Sequence, residues 1–167
     1  MNSKQVIAGI SVAVLLVILV YPALSTGAVS ISVKSAKIAN ADHVYVIVRE
    51  MWVHPTGQSQ SQGWRLLSNT SKTVDIVGLQ SVTVLVSVQV PVGSYDSIRV
   101  NLSNVTWTYG STTNRLQLEA GQLSANINFM VQAARSQPLV MMISGHREFV
   151  QGQMFFSPTL DVTLSGS

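Results

Sequence analysis

Residues 82–107 (VTVLVSVQV, PVGSY, DSIRVNLSNVTW) carry the clearest hydrophobic pattern in the chain. Every second residue from 82 to 90 is valine, and this period of two is typical of a β-strand with one buried face. Pro91 and Gly93 interrupt the run, and the alternation resumes at Ile98. We therefore expect two antiparallel strands joined by a short turn.

The first of these strands keeps its phase throughout, whereas the second changes phase between Leu102 and Val105. One extra residue in a strand reverses which side chains face the core. The change of phase predicts a β-bulge at Ser103 and Asn104.

Short alternating or apolar segments separated by turn residues fill the rest of the chain. A turn at Gly145 and His146 is expected to divide two of them. This spacing predicts an all-β fold, an antiparallel β-sandwich, with a closed barrel as the alternative. The further strands are expected at residues 28–38, 44–53, 64–67, 74–79, 114–118, 123–131, 139–144, 148–150, 154–156 and 159–164.

The N-terminal segment is apolar from residue 6 to residue 24 and follows Lys4. Its length lies between a signal-peptide core and a membrane span, and residues 23–25 form an acceptable cleavage site. A cleaved signal peptide, a retained single-span anchor and a pilin-like processing near Gly9 remain open. Each alternative predicts export, with residues 1–25 as the signal or anchor and residues 26–167 as the β-sandwich domain.

The composition excludes several classes of function. Charged residues make up 10% of the chain and the basic ones are dispersed, so no nucleic-acid partner is predicted. Because the chain has no cysteine, it has no disulfide, thiolate metal site or thiol nucleophile.

Candidate catalytic groups are sparse. His43, His54 and His146 lack metal-ligand spacing, so no metal site and no cofactor are predicted, and His54 is expected to cap or pack a turn. Without a nucleophile or phosphate-binding motif, the chain is predicted not to be an enzyme. An enzyme whose carboxylates meet only in space stays a third alternative. Asp75 and Asp96 are expected to accept backbone hydrogen bonds at strand ends.

The tryptophans and asparagines offer the remaining sites. Trp52 and Trp107 are expected in the core, whereas Trp64, beside a loop, is a candidate stacking platform for a ligand such as a sugar. Sequons for N-glycosylation, a modification of surface residues in exported proteins, begin at Asn69, Asn101 and Asn104.

Four blocks together resemble an uncharacterised domain of exported archaeal and bacterial proteins, over residues 28–164. Its most specific part is the Gly93-x-Tyr95-x-x-Ile98-Arg99 stretch. The resemblance implies an immunoglobulin- or transthyretin-like sandwich at the cell surface, without established enzymatic activity. The blocks are HVYVIVREMWVHPTG (43–57), GWRLL (63–67), KTVDIVGLQ (72–80) and VPVGSYDSIRVNL (90–102).

These observations favour a structural or adhesive protein of the cell surface, in one form the repeating subunit of an extracellular filament. Residues 26–33 could add as a strand to a neighbouring copy through Val29, Ile31 and Val33, or pair within their own domain. The rival is a membrane-anchored ectodomain that binds a glycan or a membrane-complex partner. The rival requires that the N-terminal segment is retained.

Overall fold

The computed structural model describes residues 25–165, and the predicted signal or anchor at residues 1–24 lies outside this range. Within it, no helix is long and apolar enough to cross a membrane. The described elements are the strands β1 (Thr26–Val33), β2 (His43–Pro55), β3 (Arg65–Ser68), β4 (Lys72–Asp75), β5 (Thr83–Pro91), β6 (Gly93–Tyr109), β7 (Thr112–Leu118), β8 (Gln122–Val131), β9 (Ser136–Val150) and β10 (Gln153–Leu164).

The predicted all-β class is confirmed, but the strands form one strongly curved sheet and not plainly a sandwich. Its order is β3-β2-β6-β7-β10-β9-β1-β5, with β4 also paired to β2 and β8 to β6. A short parallel pairing of β7 with β10 at Leu118 and Phe156 joins the two halves of the sheet. Near the opposite edges, Lys72 of β4 donates a hydrogen bond to the Leu85 carbonyl of β5. The sheet therefore curls towards the barrel that the sequence left as an alternative.

The sheet is also mixed, which corrects the prediction of a purely antiparallel one. β1 runs parallel to β9 over Ala28–Val33 while it runs antiparallel to β5 on its other side. Parallel neighbours need a long connection. Here β2 to β8 all lie between β1 and β9 in the chain, so sequence-local turn signals could not reveal this pairing.

The expected hairpin between β5 and β6 is wrong. β5 pairs with β1, whereas β6 pairs with β2, β7 and β8. The chain passes from one half of the sheet to the other at Pro91, which has no amide hydrogen to give to a ladder. The buried Tyr95 fixes this corner, because its hydroxyl donates a 2.8 Å hydrogen bond to the Pro91 carbonyl.

The bulge predicted in β6 is confirmed at Asn104. This residue has a φ of 49° and no partner in the ladder with β2. β5, in which the alternation was expected to continue without interruption, also changes phase. Ile31 of β1 pairs with Val86 but Ser32 pairs with Val84, so Leu85 is the extra residue. Leu85 is buried as a result, and Val84 is 56% exposed.

The turn predicted at Gly145 and His146 is absent, because β9 continues through both residues to Val150. Gly145 lies opposite Pro158 of β10. A Cβ atom at position 145 would lie 2.3 Å from the Ser157 carbonyl oxygen. Glycine is therefore needed here for close strand packing and not for a reversal of the chain.

The core fills the space inside the curved sheet. Trp107 is buried as predicted, meets Phe156 edge-on at 6.1 Å between ring centroids, and donates from Nε1 to the Asn40 carbonyl at 2.8 Å. Trp52, also predicted in the core, is only half-buried. Val29, Ile31 and Val33 of β1 are fully buried in this core.

Candidate functional site

Polar side chains gather on the face of β2, β6 and β8 that points away from the core. Val100 and Leu102 of β6 are buried in the core, so the residues that alternate with them, Arg99 and Asn101, lie on the opposite face. We call this side of the three strands the polar face. On it, Arg99 and Asn101 each lie opposite one residue of β2 and one residue of β8, which gives two cross-strand rows. The rows are Glu50–Asn101–Gln122 and Trp52–Arg99–Ser124.

The first row contains a polar side chain that is only half satisfied. Asn101 donates from Nδ2 to Glu50 Oε2 at 2.9 Å. The Oδ1 atom of Asn101 is shielded from solvent and has no hydrogen-bond partner among the described residues. The opposite amide orientation would place this oxygen against a carboxylate, so the orientation is fixed by the Glu50 contact.

A concavity of about 540 Å³ opens over this row. Its lining combines a guanidinium, a carboxylate, amides and a hydroxyl with one leucine and one glycine. Because both charge signs and neutral amides are present, the lining can donate and accept hydrogen bonds without a strong net charge. The lining residues are Arg49, Glu50, Asn69, Ser71, Asn101, Leu102, Gly121 and Gln122.

In the second row, Arg99 lies over a tryptophan ring. Its Cζ atom is 3.8 Å from the ring centroid of Trp64, a cation–π contact. Trp64 itself is half-buried and donates from Nε1 to the Gln60 carbonyl at 2.9 Å. Trp64 thus lies on the polar face, and the guanidinium of Arg99 covers one face of the ring that the sequence predicts as a stacking platform.

His54 anchors the loop that carries Trp64. It is fully buried, and its ring lies 5.0 Å from that of Trp64. Its Nδ1 atom is 2.8 Å from Asp96 Oδ1, and its Nε2 atom is 3.0 Å and 3.1 Å from the carbonyls of Ser59 and Gln62. The expectation that His54 packs a turn is confirmed.

The protonated form of His54 is favoured at this position. Carbonyl oxygens accept hydrogen bonds only, so Nε2 must carry a hydrogen, and a hydrogen on Nδ1 would be donated to Asp96. Burial alone would lower the pKa of His54, but the hydrogen bonds to Asp96, Ser59 and Gln62 outweigh it and raise the pKa.

The other two histidines each meet one carboxylate. His43 Nδ1 lies 2.6 Å from Asp75 Oδ2, and His146 Nε2 lies 2.6 Å from Glu148 Oε1 at an exposed position. Within residues 25–165, no three metal-ligating side chains come together.

Asp75 accepts backbone hydrogen bonds, as the sequence predicts for both aspartates. For Asp96, the partner among the described residues is instead the side chain of His54. Asp75 Oδ1 accepts hydrogen bonds from the amides of Val44, Val77 and Gly78. Burial would raise the pKa of Asp75, but these bonds and that from His43 outweigh it, so the pKa is lowered.

The three sequon asparagines differ in their surroundings. Asn69 is exposed between β3 and β4 and makes no side-chain hydrogen bond to the described residues. Asn101 is tied to Glu50, and Asn104 accepts a hydrogen bond from the guanidinium of Arg115. Asn69 and Asn101, distant in sequence, line the same concavity.

Sequence reasoning did not single out Arg99, Gln122, Arg49 or Ser71 as site residues. Arg99 and Gln122 belong to the alternating outer faces of strands, and that alternation is the signal that could have placed them. Their assembly with Trp64 and Asn69 depends on the pairing of β6 with both β2 and β8, which no local pattern specifies.

A known family of domains covers most of the described chain. A family model described as a domain of unknown function, DUF4382, matches residues 26–158. The match begins at the first residue of β1 and ends within β10. No curated protein and no solved structure matches the chain significantly.

Proposed function

The chain belongs to the DUF4382 family of domains of unknown function, and from this premise we propose that it is a non-enzymatic structural or adhesive protein of the cell surface. In this proposal the chain is exported by its N-terminal segment, and copies assemble into an extracellular filament by exchange of β1. Its principal partner is therefore another copy of itself.

In the described structure β1 pairs within its own domain, and the slot that it fills there is the observation that supports exchange between copies. β1 lies between two strands, antiparallel to β5 and parallel to β9, so both its edges are paired. Val29, Ile31 and Val33 on its inner side are fully buried. A slot with a backbone ladder on each side and apolar pockets beneath is what a donated strand requires.

Exchange would replace these contacts with identical ones. The β1 of a second copy would form the same ladders and fill the same pockets, so only the connection between β1 and β2 would change. Residues 34–42 form that connection. Ala36 and Ile38 within it are buried in the core and would move with β1, whereas Asn40 is exposed and has a φ of 55°. A segment that leads away to a neighbour could therefore begin here.

Electron microscopy tests the proposal on surface material sheared from cells that produce the full chain. With an antibody against the domain as label, we expect decorated filaments whose subunits begin near Thr26. Monodisperse labelled particles, under conditions that preserve other surface structures, would contradict the filament.

The second candidate function is a membrane-anchored ectodomain that binds a ligand. The observation that favours it is the concavity over Glu50, Asn101 and Gln122, which offers several hydrogen-bonding groups in one place. Intact mass and N-terminal sequencing of protein from native membranes distinguish the two candidates. A start at Met1 supports the anchored ectodomain, whereas a start near Thr26 removes the anchor.

A further inference from the structure

The concavity on the polar face has the size and the chemistry of a site for one small hydroxylated ligand. Its volume of about 540 Å³ is enough for one small ligand, and because two other surface concavities measure about 540 and 530 Å³, its lining and not its size distinguishes it. The lining contains both donors and acceptors, with amides from three residues and a hydroxyl from Ser71. Such groups match the hydroxyls of a sugar, each of which donates one hydrogen bond and accepts others.

The charges of the lining argue against the other ligand classes. Arg49 opposes a cation and Glu50 opposes an anion such as phosphate, while the polar walls give little contact to an apolar ligand. A neutral polyhydroxylated ring fits this lining, because it carries no charge for Arg49 or Glu50 to oppose.

The sequon at Asn69 identifies where such a ring would come from. Asn69 and Ser71, the asparagine and hydroxyl residue of that sequon, both line the concavity. Asn69 is exposed and its amide is free of hydrogen bonds to the described residues, whereas the amides of Asn101 and Asn104 contact Glu50 and Arg115. Asn104 is also exposed but does not line the concavity, so the sequon at Asn69 is the one that combines an exposed asparagine with a place on the concavity.

We propose that the concavity holds a hexopyranose ring and that this ring belongs to a glycan attached to Asn69 of the same chain. Glycosylation requires export, so this part rests on the surface location proposed above. The glycan would cover Glu50 and Gln122 and shield this part of the polar face from solvent and from neighbouring copies.

The test has two arms. The first asks whether a glycan is attached to Asn69, and the second asks whether the concavity binds a sugar. In the first arm, glycopeptide mapping of the full chain from its native surface should find glycan at Asn69 and none at Asn101 or Asn104. Glycan at either of the other asparagines, with Asn69 bare, would overturn the assignment.

In the second arm, the full chain is produced without glycosylation and titrated with methyl glycosides of glucose, galactose, mannose and N-acetylglucosamine. Backbone amide NMR signals of Glu50, Asn101 and Gln122 should shift with at least one of these sugars. Gln122→Ala should weaken this binding about tenfold, whereas Asn104→Gln, a matched amide change outside the concavity, should leave it unchanged.

The outcomes separate this inference from the proposed function. If the concavity binds sugar but Asn69 carries no glycan, the proposal that the ring belongs to an attached glycan is wrong, and the occupant is a free saccharide. Absence of sugar binding in the second arm, which needs no export, would overturn the site itself. Protein that remains inside the cell would instead contradict the surface location.

Discussion

His54 connects the end of β2 to a loop that is too polar to hold itself in place. The loop sequence QSQSQG has no apolar side chain to bury, but two of its carbonyls accept from the Nε2 atom of His54. Asp96 is hydrogen-bonded to the other ring nitrogen of His54, and Arg99 lies over the ring of Trp64. A single buried ring thus fixes the loop and, with it, the orientation of Trp64.

The free energy of unfolding should therefore depend on pH through His54. Its pKa in the folded protein is raised above the unfolded value of 6.5. The stabilisation is then fully present below about pH 6.5 and is lost as the pH rises through the raised pKa. Urea denaturation from pH 6 to pH 9 should show stability falling with pH in the wild type.

His54→Gln should remove most of this pH dependence and lower stability by about 1–3 kcal/mol, because Asp96 loses its buried partner. His146→Gln, at an exposed site, should retain the wild-type slope. Equal slopes in the wild type and the His54 variant would contradict the assignment.

Tyr95 is the second residue whose role is clear only in three dimensions. The sequence marks it within the Gly93-x-Tyr95-x-x-Ile98-Arg99 stretch, and the fold supplies the reason, a buried hydroxyl that holds the corner at Pro91. Tyr95→Phe should cost about 1–2 kcal/mol in urea denaturation, since the Pro91 carbonyl loses the donor that the buried tyrosine supplies. The exposed Tyr109→Phe serves as the control and should change stability by less than about 0.5 kcal/mol.

At the scale of the elements, the alternation of apolar and polar residues located the strands well but could not show which strands pair with each other. The bulge at Asn104 was predictable because an apolar residue on each side of it kept the inner face. The bulge at Leu85 was not, since apolar residues at consecutive positions hide a change of phase. Gly145 shows the same limit, because glycine serves both turns and close strand packing.

Gly145→Ala tests whether β9 is continuous. The added methyl group would lie 2.3 Å from the Ser157 carbonyl oxygen and 2.8 Å from the Phe156 ring. We expect a loss of about 2–4 kcal/mol in the free energy of unfolding, because strand backbone must move. Gly121→Ala, where the nearest atom is 3.4 Å away, is the control and should lose less than about 1 kcal/mol. A neutral Gly145 variant would favour a turn over a strand.

At the scale of the whole molecule, the sequence indicated the all-β class, and the closure of the sheet came from pairings between distant segments. The β1–β9 ladder joins strands separated by most of the domain, and β7 and β10 meet over only two residue pairs. The polar face depends on the same long-range order. Its individual residues carry recognisable chemistry, but their meeting in one concavity follows from β6 lying between β2 and β8.

The central claim is that β1 of one copy completes the sheet of the next, and a disulfide can test it. Ser30 of β1 and Ser87 of β5 are directly opposed in the antiparallel ladder, and the chain has no cysteine of its own. In the double variant Ser30→Cys, Ser87→Cys, oxidation should link whichever β1 and β5 are paired. Ser30→Cys alone provides the control for chance cross-links.

The measurement is a non-reducing gel of surface material from cells that produce the double variant. Exchange of β1 predicts a ladder of covalent multimers that collapses to monomer on reduction. A monomer band alone, with mass spectrometry locating the disulfide within one chain, would show that β1 completes its own sheet and would contradict the claim.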